Sequence, residues 1–146
     1  MLKKYFSLNL AVFLLFILDR TVKFYFIKNP AKIFGGDFLS LDLATNKGVA
    51  FGIGFNQIIL LGLIGVVITI LFNFLSQAYA KNDLVGIFAL TSVIFGAISN
   101  LIDRIRYGFV IDYIDVSWFT VFNLADIMIT VGSLILIVDV FFSKKK

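Results

Sequence analysis

The chain contains no cysteine, no histidine and no glutamate, and a single proline, Pro30. Without cysteine or histidine there is no disulfide, no thiol nucleophile, no Ser-His relay and none of the usual zinc ligand sets, which excludes most hydrolase chemistries. Acid–base work falls to nine aspartates, 13 lysines and arginines and a few hydroxyls. Charge is scarce too, at 15% of 146 residues, whereas 60% are hydrophobic and the mean hydropathy is +1.01. Soluble domains carry roughly 45–50% apolar residues, so this composition describes a membrane protein. The net charge of +4 is scattered singly between apolar runs, as membrane flanks are, so no nucleic acid is expected as a partner. No polar low-complexity stretch divides the chain and no internal repeat is visible, so residues 1–146 are expected to form one domain.

A helix needs about 20 mostly apolar residues to cross the hydrocarbon core. Four runs meet that length, from about Tyr5 to Phe26, Gln57 to Leu75, Leu84 to Ile102 and Leu124 to Phe142. They predict an all-α membrane protein of four transmembrane helices. Polar Ser76 to Asp83 joins the second and third, while Pro30 to Asn56 and Arg104 to Asn123 are long connections. The start resembles a signal peptide, but no small-residue cleavage site follows Leu18 before Asp19 and Arg20, so it reads as an uncleaved anchor. An even number of spans puts both termini on one side, and the basic ends, Lys3-Lys4 and Lys144 to Lys146, favour the cytoplasm. The basic count does not settle orientation, with six inside (those five and Lys81) against seven outside: Arg20, Lys23, Lys28, Lys32, Lys47, Arg104 and Arg106. Carboxylates are more telling. Asp19, Asp37, Asp42, Asp103, Asp112, Asp115 and Asp126 fall on the outer side, and only Asp83 and Asp139 on the other. Within the outer connections, Phe38 to Asp42-Leu43 and Phe109 to Ile114 alternate partially and predict short strands on the membrane surface. Aromatics there, including Trp118, suit the interfacial belt.

Ionisable residues in or beside a span cost about 2.5–3.5 kcal/mol at a helix centre and are functional candidates by default. Asp19 and Lys23, at i and i+4, form either a snorkelling pair at a helix end or part of a site. Asn100 and Asp103 share a face of a segment whose Gly96, Ala97 and Ser99 allow close helix approach. A second Asn-x-x-Asp, Asn123 to Asp126, opens the last span, with Asn123 as N-cap and Asp126 one turn in. Two neighbouring carboxylates share one proton, one acting as base toward water and the other as acid toward a carbonyl, so such a pair hydrolyses peptides without metal or cofactor. The partner of Asp126 is open between Asp103 and Asp112. Arg104 and Asn100 beside Asp103 favour a fixed anion, and the apolar neighbours of Asp112 favour a shared proton, which gives Asp112 a slight lead. Gly48 reads as a tight turn or a close approach to substrate, and Asp139, one turn from the basic tail, as structural. A Ser99–Lys23 dyad is conceivable, but nothing in the sequence brings them together and Lys23 has Asp19 nearer.

Five motifs follow one another: Asp19-x-x-x-Lys23, Asn46-x-Gly48-x-Ala50-Phe51, Gly96-Ala97-x-x-Asn100-x-x-Asp103-Arg104, Val110-Ile111-Asp112 and Phe122-Asn123-x-Ala125-Asp126. In this order they resemble signal peptidase II, the lipoprotein signal peptidase family, over most of the chain. The first motif of that family usually has Gln where this chain has Arg20. The resemblance implies an aspartic endopeptidase that cleaves prolipoproteins before a diacylglyceryl-modified cysteine at the outer face of the bacterial inner membrane. It implies Asp112 and Asp126 as the dyad, and Asp19, Lys23, Asn46, Gly48, Asn100, Asp103, Arg104 and Asn123 as supporting or substrate-binding residues, with Asp103 orienting Arg104. It also implies small outer strands that cradle substrate. Membrane lipids and the lipidated precursor are the expected partners, and a monomer the expected state. The rivals are a small proton-coupled transporter or channel, against which the one-sided clustering of acids speaks, and a non-catalytic scaffold.

Overall fold

The protein is described by a computed structural model over residues 2–30, 34–36, 38–48 and 56–143. Lys32, Asp37, Ala50, Phe51 and Lys144 to Lys146 lie outside the described residues. Helix α1 (Leu2–Lys28) leads to strands β1 (Phe34–Gly35) and β2 (Leu39–Asn46). Helices α2 (Gln57–Ala80) and α3 (Leu84–Tyr107), strand β3 (Val110–Val116) and helix α4 (Leu124–Ser143) complete the order.

Among the described residues three helices, α2, α3 and α4, are long and apolar enough to cross a membrane. The fourth, α1, has the length but carries Asp19, Arg20 and Lys23 in one turn. All four helices outrun their expected bounds, α2 and α3 by a turn or more. Ser76 to Ala80 continue α2 instead of forming a link, because Ser76 Oγ donates to Asn73 O at 2.8 Å and Gln77 Nε2 to Asn73 Oδ1 at 2.7 Å, contacts that the helix itself supplies. Arg104 to Tyr107 continue α3 until Gly108, whose φ of 81° suits a residue without Cβ and returns its N–H to Arg104 O at 3.1 Å. Asn56 caps α2 by accepting from Ile58 N and Ile59 N at 3.0 and 3.3 Å.

The core runs along α3, which packs most extensively on α4 and then on α2 and α1. At Gly96 a Cβ would lie 2.6 Å from Ala125 O and 2.8 Å from Ile129 Cγ1, so α4 approaches there only because the side chain is absent. By contrast α2 and α4 turn Leu63, Val66, Ile70, Leu134, Val138 and other large apolar side chains outward, the pattern of surfaces solvated by lipid.

At one end of the bundle the strands form an antiparallel sheet in the order β1-β2-β3. The pairing Leu41↔Ile114 gives way to Ala44↔Asp112, so β2 carries one extra residue. Beyond that bulge Asn46 pairs with Val110, which puts Asn46, Val110 and Asp112 on one face of the sheet and Ile111 and Tyr113 on the other. Residues 117–122 then fold back, and Ile114 and Phe122 exchange N–H···O bonds of 2.8 and 3.0 Å. That return delivers the start of α4 beside Asp112.

Candidate active site

Helix α4 opens with a reciprocal cap. Asp126 N donates to Asn123 Oδ1 at 2.9 Å, and Asn123 N donates to Asp126 Oδ2 at 3.2 Å, the arrangement of a capping box with a shorter acid. The expected N-cap role of Asn123 is therefore seen. Its amide nitrogen also donates to Asp112 Oδ1 at 2.6 Å, so one side chain links both aspartates.

Asp112 and Asp126 line a single cavity of about 300 Å³ with Asn46, Asn100, Arg104, Val110 and Phe119 to Phe122, Ile129 and Thr130. A second hollow of about 290 Å³ shares Asn46, Asp112, Thr120 and Val121 with the first and adds Ala44, Thr45, Lys47 and Gly48. Asp112 thus stands where the two hollows join. The residue is 3% exposed, and burial foremost, then the neighbouring charge of Asp126, push its pKa up to about 6 against the pull of the hydrogen bond from Asn123, the charge of Lys23 and the hydrogen bond from Asn46. Arg104 is the cation of the wall, and its Nη2 donates to Gly48 O at 3.1 Å, tying α3 to the turn after β2.

Beneath the cavity lies a separate charged cluster. Asp19, Lys23, Ser99, Asp103 and Asn123 are all 0% exposed. Lys23 Nζ reaches Asp103 Oδ2 at 2.8 Å, Asn100 Oδ1 at 2.7 Å and Asp19 Oδ2 at 3.2 Å. Arg20 Nη1 donates to Asp103 Oδ1 at 2.5 Å and to Ser99 O at 3.1 Å. Asp19 accepts from Ser99 Oγ at 2.5 Å, Tyr113 Oη at 3.0 Å and Ala125 N at 3.2 Å, and Asp103 accepts from Ile111 N at 3.3 Å. Burial and the Asp19 charge push the Tyr113 phenol above its ordinary range, so it stays a donor to Asp19.

Several expectations change here. Asp19 and Lys23 do not snorkel, because both are wholly enclosed. The cations that pair with Asp103 are Arg20 and Lys23, from α1, while its sequence neighbour Arg104 lines the cavity and is reached by Asp103 only through space. Ser99 and Lys23, expected to lie apart, both contact Asp19 Oδ2, with Ser99 as a donor and not a nucleophile. Of the eight expected substrate-binding residues, Asn46, Gly48, Asn100 and Arg104 line the hollows, whereas Asp19, Lys23, Asp103 and Asn123 do not. Arg20 was not among the candidates. Charge arithmetic points to it, since two cations one turn apart in an apolar helix beside the single acid Asp19 require a second acid from another helix.

The family model for signal peptidase (SPase) II matches residues 11–142. The chain belongs to the signal peptidase II family. A lipoprotein signal peptidase of Pelagibacter ubique is 42% identical over 98% of this chain and 93% of its own length. One from Bartonella quintana is 38% identical over 95% and 89%. A solved bacterial membrane enzyme superposes with a TM-score of 0.77 at 26% identity, covering 96% of this chain and 92% of that one. Signal peptidase II membership makes this chain a bacterial membrane aspartic peptidase of lipoprotein processing, and does not favour a transporter.

Proposed function

We propose that Asp112 and Asp126 share one proton and hydrolyse the peptide bond just before a diacylglyceryl-modified cysteine of a prolipoprotein. The observation that carries this reading is the convergence of both carboxyls on one cavity, bridged by Asn123. Two carboxylates so close do not both ionise readily, and a shared proton equips one for attack and the other for carbonyl activation. Asn46, Gly48, Asn100 and Arg104 contact the substrate, with Arg104 suited to the carbonyl oxygen as it gains charge. Asp19, Lys23, Asp103 and Asn123 act from beneath.

In this reading all four helices span the bacterial inner membrane. Support for α1 as the fourth comes from its mid-helix charged side chains, Asp19, Arg20 and Lys23, being turned into the bundle while Leu14, Leu15 and Leu18 face outward. Both termini are cytoplasmic, the sheet and dyad face the periplasm or exterior, and residues 1–146 work as one domain and as a monomer. The signal helix of the substrate enters between spans, its acyl chains stay in hydrocarbon, and the scissile bond meets water and the dyad at the interface. The test is incubation of purified protein with a diacylglyceryl precursor and its unmodified twin. Cleavage of the modified form alone is expected; cleavage of both would remove the lipid as specificity handle, and cleavage of neither would overturn the reading.

A further inference from the structure

Lys23 makes no contact with the cavity, yet together with Asn123 Nδ2, 3.3 Å from Asn100 Oδ1, it fixes what faces Asp126. An ammonium has three N–H donors and no acceptor, and the atoms around Nζ include Asn100 Oδ1 at 2.7 Å. The end of Asn100 turned toward Lys23 must be its oxygen, so its amide nitrogen is the atom 2.8 Å from Asp126 Oδ1. Heavy-atom positions rarely distinguish the two ends of an asparagine; here the ammonium does. The other oxygen of Asp126 accepts Asn123 N–H at 3.2 Å, and the group sits in the first turn of α4, where the positive helix end favours an anion. Asp126 therefore meets an N–H at each oxygen. Asp112 lies on a strand, beside apolar Val110, Ile111 and Tyr113, and accepts from the side-chain amides of Asn123 and Asn46; it stands next to the start of α4 but is not part of its first turn.

We propose that Lys23 is a positioning residue that, through Asn100, holds the proton of the resting pair on Asp112 and leaves Asp126 as the anionic base. The proposal rests on the dyad reading and assigns the two roles within it. Asp126 takes a proton from water as the water oxygen bonds to the scissile carbonyl carbon, and Asp112 gives its proton to the carbonyl oxygen, forming a gem-diol. Asp126 then protonates the leaving nitrogen while Asp112 takes a proton from one diol hydroxyl. The C–N bond breaks, and the proton is back on Asp112. The other charged or titratable groups facing the pair are Asp19 and Arg20 from α1, Asp103 and Arg104 from α3, Tyr113 from β3 and Lys47 beyond β2.

The experiment is the pH profile of kcat/KM with a diacylglyceryl precursor for the wild type, Lys23→Met and Asn100→Ala. Asn100→Ala removes the amide N–H at Asp126, and Lys23→Met leaves Asn100 Oδ1 with only the longer contact from Asn123 Nδ2 at 3.3 Å. The acid limb, which titrates the base, therefore moves up by about one pH unit in both; the alkaline limb stays in Asn100→Ala and moves up by less than the acid limb in Lys23→Met, whose charge also reaches Asp112. Movement of the alkaline limb in Asn100→Ala, a larger shift of the alkaline than of the acid limb in Lys23→Met, or movement of neither limb overturns the assignment. If Lys23→Met does not fold, Asn100→Ala carries the test, because it leaves every ion pair intact. Where turnover is too slow for a profile, carboxyl ¹³C shifts of labelled aspartate read the same titrations in the wild type, with signals assigned by their loss in Asp112→Asn and Asp126→Asn. Asp126 is expected to titrate below Asp112, and the reverse order sinks the proposal. Failure of the dyad itself looks different, since Asp112→Asn or Asp126→Asn would then still cut.

Discussion

Asp19 and Asp103 sit beside Asp112 and Asp126 at the same end of the bundle, and the two pairs are surrounded in opposite ways. The first pair is fully enclosed and held by two cations, Lys23 and Arg20, with further N–H and O–H donors on Asp19 and a further N–H on Asp103. The second pair faces a cavity and is held mainly by amides, with Arg104 across the wall. A carboxylate whose oxygens are taken up by cations and buried donors anchors main chain. Partial satisfaction with access to water leaves a carboxylate able to exchange a proton. The same side chain is thus scaffold or reagent according to what its oxygens already hold.

The comparison predicts unequal responses to the loss of one charge. Asp112→Asn or Asp126→Asn is expected to cut the rate of precursor cleavage by more than about 10³-fold, with insertion and melting close to wild type, measured by gel-shift cleavage and thermal unfolding in detergent. Normal cleavage by either variant would merge the two pairs. Asp103→Ala is expected to act in the opposite sense, lowering stability by about 3–5 kcal/mol because the buried Lys23 and the half-buried Arg20 lose their shared partner. A melting temperature unchanged from wild type would show that the cluster anchors nothing. Gly96→Val is expected to cost about 1–3 kcal/mol by forcing α4 away from α3 and widening the space between Asn100 and Asp126, again read from melting. The smallest effect is on pH dependence. Asp112 is raised to about 6, so the native state binds a proton that the unfolded chain releases near pH 4. Its contribution to stability is present below about pH 4 and lost as pH rises through about 6. The wild-type melting temperature should fall across that window more than that of Asp112→Asn, and equal slopes would contradict the shift.

Much of this arrangement is readable in the sequence, because membrane spans and helix caps are local. The apolar runs mark four helices, and Asn123 three residues before Asp126 announces the cap that forms. The choice between Asp103 and Asp112 stays nearly balanced in the sequence because it depends on partners 80 or so residues away. Arg104 is adjacent to Asp103 in the chain but leaves the helix toward the cavity, while Arg20 and Lys23 arrive from α1. Helix–helix contacts of that kind leave no spacing signature. The bulge after Leu41 is likewise silent in composition, although it sets the register that puts Asn46 and Asp112 on one face.

The grip of Asp19 on Ala125 N and Tyr113 Oη joins the first helix to the last and to the strand that bears Asp112. The dyad we propose is therefore incomplete until the last helix of a nascent copy has docked against the first. A half-inserted copy, waiting in the bilayer among lipidated precursors, has no means of premature proteolysis.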